Sequence, residues 1–272
     1  MIKVVKIKAK RAFNPSKIPG AKYVINQYIG CQIACSYCYA KFVSRWYNYG
    51  KWGDWVIVKE NMPELVKNKY LKGKVYMSSI SDAYQPIEAK IKLTRKVLEN
   101  MNKNIELVIL TKSSLVLRDI DIFKEFNDIE VGLTINGFNN KIKREIEPFS
   151  STHNKRVEAL KNLHKNGIKT YAFISPIIPD LVDVGNIIDE TKDFVDYYWM
   201  EFLNLKVSGK EFKNWLKQNY QSAYEILNEK PKLESYIEKI VDAVKRKNVN
   251  IKGISINYSK IVKCCDRNGN SK

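Results

Sequence analysis

The chain has 272 residues, 44% of them hydrophobic, enough for one large core and near the upper end of what a single domain spans. No stretch approaches the unbroken apolar run of about 18 residues that a membrane helix needs, and the opening MIKVVKIKAKRAF is too charged for a secretory signal, so we expect a cytoplasmic protein without a membrane partner. Lys plus Arg is 47 against 29 for Asp plus Glu, a formal charge of +18 that makes nucleic acid the first partner to weigh, although lysine spread along a chain is also ordinary solvated surface.

Apolar runs rich in β-branched residues alternate with longer stretches of helical period, the pattern of a parallel sheet with crossover helices. The expected strands are YVINQYI (23–29), KVYMSS (74–79), IELVILT (105–111), EVGLTIN (130–136), KTYAFIS (169–175) and YYWMEFL (197–203). Between them Pro63 opens the helix PELVKNKYL and Pro86 opens PIEAKIKLTRKVLENM. Ser151 or Thr152 caps HNKRVEALKNLHKNG, which stops at Gly167. After Lys206 two lysine-rich helical stretches, 208–228 and 231–247, precede a last apolar run, NIKGISINYS (250–259), and a polar tail. The expected organisation is an N-terminal extension (1–22), an α/β unit that is a barrel or a doubly wound sheet (23–205), and a C-terminal helical extension with a final strand and polar tail (206–272).

Five cysteines, three of them bunched, fit a disulfide framework poorly and a metal in a reducing compartment better. GCQIACSYCYAK (30–41) holds Cys31, Cys35 and Cys38 with no fourth local ligand. A structural zinc site wants four ligands and would have to recruit the distant Cys264 or Cys265, while the two histidines, His153 and His164, fall together in one helical stretch. An iron–sulfur cluster held by three thiolates leaves one iron open.

The spacing Cys-x3-Cys-x2-Cys, with Tyr37 before the last cysteine, resembles the signature of the radical S-adenosylmethionine (SAM) superfamily. The stretches 26–42, 56–66, 75–99, 108–119 and 173–181 further resemble, in order, spore photoproduct lyases and the related DNA repair photolyase family. The resemblance covers residues 10 to 205 and implies an α/β partial TIM barrel of about six β/α units. It also implies a 4Fe–4S cluster on Cys31, Cys35 and Cys38, and SAM chelated at the open iron. An electron from an external donor of flavodoxin or ferredoxin type then cleaves SAM to methionine and a 5′-deoxyadenosyl radical that takes hydrogen from substrate.

Polar residues at strand ends are the expected SAM ligands: Ser79, Ser81 and Asp82 after the second strand, Lys112 and Ser113 after the third, Thr134 and Asn136 at the fourth, and Ser175 at the fifth. Tyr37 is expected near the adenine. Ser79 aligns where the lyases carry a cysteine that returns a hydrogen atom, and a serine O–H is too strong for that. Tyr84, Cys264 and Cys265 are therefore the candidate hydrogen donors. The aromatic and basic stretch 41–55 either stacks nucleobases or covers the barrel mouth with Trp46, Trp52 and Trp55. A peptide, a protein side chain or a small metabolite is the alternative substrate, and a non-catalytic metal or nucleic-acid module the alternative class.

Overall fold

Seven parallel strands, side by side in the order in which they occur along the chain, form the frame of the molecule. The computed structural model describes residues 2–256 and 260–262; Cys264 and Cys265 lie outside the described residues. The chain opens with Lys3–Ile7 (β1), Phe13–Pro15 (β2), Tyr23–Ile25 (β3), Tyr28–Ile29 (β4) and Trp55–Lys59 (β5). Met62–Val66 (α1), Val75–Met77 (β6), Glu88–Ile91 (α2), Leu93–Asn100 (α3) and Leu107–Thr111 (β7) follow. Ile120–Phe123 (α4), Ile129–Thr134 (β8), Asn140–Ile146 (α5), His153–Lys165 (α6) and Lys169–Ile177 (β9) continue the alternation. Val184–Thr191 (α7) and Tyr197–Phe202 (β10) come next, then Lys210–Asn219 (α8), Gln221–Asn228 (α9), Lys230–Lys245 (α10), Ile251–Ile256 (β11) and Lys260–Val262 (β12).

The parallel run is β3, β6, β7, β8, β9, β10 and β11, edged by antiparallel β2 and β12, and it makes the expected partial barrel. All six expected strands are present, and the final apolar run adds a seventh beside β10. A separate sheet joins β1, β5 and β4. The expected strand 23–29 is in fact two. At the break, Asn26 Oδ1 accepts from the backbone of Ser79 (2.8 Å) and Ile80 (3.2 Å), and Gln27 Nε2 donates to Thr94 Oγ1 (2.8 Å). These side-chain bonds turn β4 out of the barrel sheet into the small one.

Successive residues of a strand face opposite sides. Ile25, Met77, Ile109, Val131, Leu133, Ala172, Ile174 and Met200 pack outward under the helices, against Val97, Leu160, Leu163 and Ile188 among others. The opposite parity faces inward and gathers Val108, Tyr171 and Tyr197 with Tyr76, Leu110, Phe173 and Trp199. At the end where the strands begin, Glu130 takes Lys74 and Lys169 at 2.8 Å each and the hydroxyl of Tyr197. The hydrogen bonds of Lys169 and Lys74 hold its carboxyl down to about 2 against the opposing effect of burial.

The helices follow the sequence signals in part. Thr152 caps α6 by accepting from Lys155 N (3.5 Å). The helix expected from Pro86 onward is broken at Lys92, whose φ of +54° ends α2. The buried Glu88 carboxylate then accepts from Thr94 N at 2.9 Å, starting α3 afresh. The C-terminal helices reach the cysteine loop. Phe212 of α8 meets the ring of Tyr37 edge-on at 5.8 Å, and Trp215 donates to Glu145 at 3.0 Å, so α8 packs on the loop that carries the cysteines.

Candidate active site

The cysteine loop leaves β4 through Gly30, at φ +82°, where an added Cβ would lie 2.7 Å from the Trp55 carbonyl oxygen. It is then laced down from three sides. Gln32 N donates to Gln85 Oε1 (2.8 Å), Ile87 N to Gln32 Oε1 (2.5 Å), and Ser36 N to the Ile146 carbonyl (2.8 Å) at the end of α5. Ala34 takes φ +57°, and its Cβ occupies the space where Gly53, at φ +103°, has no side chain.

Cys31, Cys35 and Cys38 are free thiols in one cluster with Ile33, Tyr37 and Trp52. Burial pushes all three thiols up, reinforced at Cys31 by Asp82 and at Cys35 by Glu147. Such thiols surrender their protons to a metal, whose charge outweighs the desolvation. Among the described residues no three Cys, His, Asp or Glu side chains form a ready site for a single ion. The donor set is three soft, unpaired sulfurs in a dry, basic-flanked loop, which fits thiolate ligation of iron and sulfide.

Around that loop the expected SAM residues divide. Lys112, Thr134 and Ser175 come together at the ends of β7, β8 and β9: Lys112 Nζ donates to Thr134 Oγ1 at 3.4 Å, and Ser175 Oγ donates to Glu201 Oε2 at 3.2 Å. Burial alone would lower the Lys112 ammonium, but Cys35 and Glu147 raise it more. Burial lifts Glu201 to about 7, against the Ser175 hydrogen bond and the charge of Lys112. Ser79 sits beside Asn26, whose Nδ2 donates to its Oγ at 3.1 Å, and its carbonyl accepts from the hydroxyl of Tyr39. Ser81 Oγ donates to the Tyr28 carbonyl at 3.3 Å.

Other expected residues are occupied in holding the frame. Asp82 Oδ1 accepts from Thr111 Oγ1 (2.6 Å) and Tyr84 N (2.8 Å), and Oδ2 accepts from Lys112 N (2.8 Å), so Asp82 ties the end of β6 to that of β7. Ser113 caps the turn 114–119 through Leu115 N. Asn136 Nδ2 donates to Glu147 Oε1 at 2.9 Å. Tyr37 also gives its hydroxyl to Glu147, its ring lying against α8. Tyr84 is wholly buried in the main core, with the Arg118 guanidinium 5.9 Å from its ring centre, and that position speaks against a role as hydrogen donor.

Glu147 and Arg156 are the residues that sequence reasoning missed. Glu147 is 0% exposed, receives Tyr37, Asn136, Ser150 and Arg156, and stays below the usual carboxylate range because Arg156 and Lys112 outweigh its burial. Arg156 also donates to the Thr134 carbonyl at 2.9 Å. One signal was present: Arg156 occupies the apolar stripe of α6 with Ala159, Leu160 and Leu163. Of the stretch 41–55, Trp55 is buried and Trp52 packs on it at 6.1 Å, whereas Phe42 and Trp46 are exposed. Surface hollows of about 290 Å³ beside Asn140 and about 310 Å³ beside Asn127 are lined by none of these candidate residues.

A partial parallel barrel with three free thiols in the loop that leaves β4, a short way beyond its first strand, defines a class, and the comparison with known proteins agrees: residues 25–189 match the model of the radical SAM superfamily. The chain belongs to that superfamily. It is 62% identical to the uncharacterized protein MJ0683 of Methanocaldococcus jannaschii over 94% of this chain and 98% of that one. It is 29% identical to the uncharacterized protein ORF301 of Acidianus two-tailed virus over 58% and 56%. In structure it is similar to spore photoproduct lyase complexed with dinucleoside spore photoproduct, with a TM-score of 0.65 at 15% identity over 93% of this chain and 82% of that one, a likeness of fold. The protein is thus a radical SAM enzyme with a fold like that of spore photoproduct lyase. No helix among the described residues is long and apolar enough to cross a membrane.

Proposed function

We propose that Cys31, Cys35 and Cys38 hold a 4Fe–4S cluster, that Lys112, Thr134 and Ser175 with Ser79 and Ser81 hold SAM, and that the substrate is nucleic acid, transformed in the cytoplasm in a photoproduct-lyase-like reaction for which Cys264 or Cys265 would return the hydrogen atom. The observation that carries the reading is the Lys112 ammonium beside the cysteine loop at the barrel's mouth, where a point charge can meet a carboxylate. When bound, the two cofactors supply a carbon radical that takes a hydrogen atom from substrate. The chain's own residues bind, orient and exclude water. Gln32, Gln85 and Gly53 fix the loop, Glu147 and Arg156 fix the end of β8, and the outward core keeps the strands in register.

Nucleic acid is supported by the formal charge of +18 and by the exposed Phe42 and Trp46 next to Lys41 and Arg45. An external one-electron donor of flavodoxin or ferredoxin type is required by the chemistry. The test is anaerobic reconstitution of the full chain followed by dithionite and SAM. Formation of 5′-deoxyadenosine is expected, and its absence with a full complement of iron and sulfide would remove the catalytic reading. Binding to single- or double-stranded DNA or RNA that weakens steeply with salt supports the substrate class; no binding at low salt transfers the case to a peptide or small metabolite.

A further inference from the structure

The inward face of the barrel is tiled with rings in two layers. In the deeper layer Tyr171 and Tyr197 stack with centroids 5.1 Å apart and planes 2° from parallel, both buried. The ring of Tyr171 lies over Gly132, where an added Cβ would come within 2.3 Å of it. One step toward the mouth, Phe173 and Trp199 are register partners across β9 and β10, and both keep exposed surface. The Trp199 indole lies over Gly253 of β11, where an added Cβ would again meet it at 2.3 Å. One side of the indole is therefore seated on backbone, which fixes the ring and leaves its exposed surface to the barrel interior.

Above this layer Ser175 and Glu201 close a polar edge at 3.2 Å. Among the described residues the other carboxyl oxygen of Glu201, Oε1, has no hydrogen-bond partner. A fixed flat apolar surface below and an acceptor of hydrogen bonds beside it are complementary to a planar ring with N–H groups on its edge. Lys112 and Tyr39 are the charged and titratable groups that bear on Glu201, and with its carboxyl near 7 the edge can also donate around neutral pH.

We propose that Trp199 and Phe173 are the stacking platform for one nucleobase of the substrate, and that Glu201, positioned by Ser175, reads the hydrogen-bonding edge of that base. This rests on the nucleic-acid reading of the substrate given above. The residues come from two neighbouring strands of the rigid sheet, so the platform is preformed and does not await a loop.

The experiment uses the anaerobically reconstituted full chain and two fluorescein-labelled single strands of equal length at low salt, one of mixed bases and one with abasic sites throughout. Wild type is expected to prefer the base-bearing strand by roughly 5- to 150-fold, the range of one stacked base. Trp199→Ala should lose most of that preference while its affinity for the abasic strand, carried by phosphate contacts, stays the same; Trp199→Phe should keep most of it. Glu201→Ala should weaken only the base-bearing strand. Equal wild-type binding of both strands overturns the base site and leaves the nucleic-acid reading standing, and failure to bind either removes both. Equilibrium dialysis with SAM closes the remaining route: a Trp199→Ala protein that loses SAM but keeps its base preference assigns the platform to the cofactor and overturns the proposal.

Discussion

Glu147 Oε2 and Arg156 Nη2 meet at 2.7 Å, with 0% and 1% of their side chains exposed. Neither residue is a thiol or an expected cofactor ligand, yet they connect the two halves of the site. Glu147 reaches Tyr37 in the cysteine loop, and Arg156 reaches the carbonyl at the end of β8. Removing one partner of such a pair strands a charge in the interior, so Arg156→Met is expected to cost about 3–5 kcal/mol. Urea denaturation checks it, and Glu147→Gln combined with Arg156→Met should recover part of the loss.

Each cysteine substitution should act on iron and spare the fold. Cys31→Ala, Cys35→Ala and Cys38→Ala are each expected to lower iron and labile sulfide per chain after anaerobic reconstitution, with an unchanged far-ultraviolet dichroism spectrum. A single variant that retained the full iron content would show that its sulfur is no ligand.

Gly53 carries a steric requirement as well as a conformational one. Gly53→Ala places a Cβ 2.5 Å from that of Ala34, at φ +103°. The left-handed backbone alone costs about 1–2 kcal/mol for a residue with a side chain, and the collision adds to it. Ala34→Gly removes both the collision and the positive-φ penalty at 34, so the double variant should melt close to wild type and well above Gly53→Ala.

Glu201 gives the stability of the protein a pH dependence of known sign. Its carboxyl titrates near 7 in the folded chain because of burial, well above its unfolded value. The folded state therefore binds more protons between about pH 4.5 and 7, and stability falls as pH rises through that window. Glu201→Gln should melt near wild type at pH 5 and above it at pH 8.

Lys112→Met should weaken SAM binding by at least about tenfold in equilibrium dialysis, the scale of one charge-assisted contact. Its backbone nitrogen still donates to Asp82, so the strand end keeps its place.

The parallel strands were legible because strands covered on both faces read as runs of Val, Ile and Leu, as in IELVILT and KTYAFIS. The cysteine loop was legible because its spacing is local. The short sheet was not: WVIVK of β5 begins on Trp55, the last residue of the aromatic stretch 41–55, and its partner β1 lies in the charged N-terminus, so only their pairing at Lys3 and Trp55 discloses either as a strand. Asn26 also escaped notice, since an amide in the middle of an apolar run reads as an interruption and not as the clamp that bonds Ser79 and Ile80. Side-chain bonds between residues 53 and 54 apart leave no periodicity behind. The expected SAM ligands illustrate the same limit: Asp82 and Ser113 stand at strand ends as anticipated, and their oxygens also carry bonds within the protein that no sequence pattern announces.

Glu130, gripping Lys74, Lys169 and Tyr197 where the strands begin, stoppers the barrel along its axis. The base of the barrel is thus knotted by charge, while its opposite end, where Lys112 and Glu201 stand, carries the residues proposed to meet cofactor and substrate.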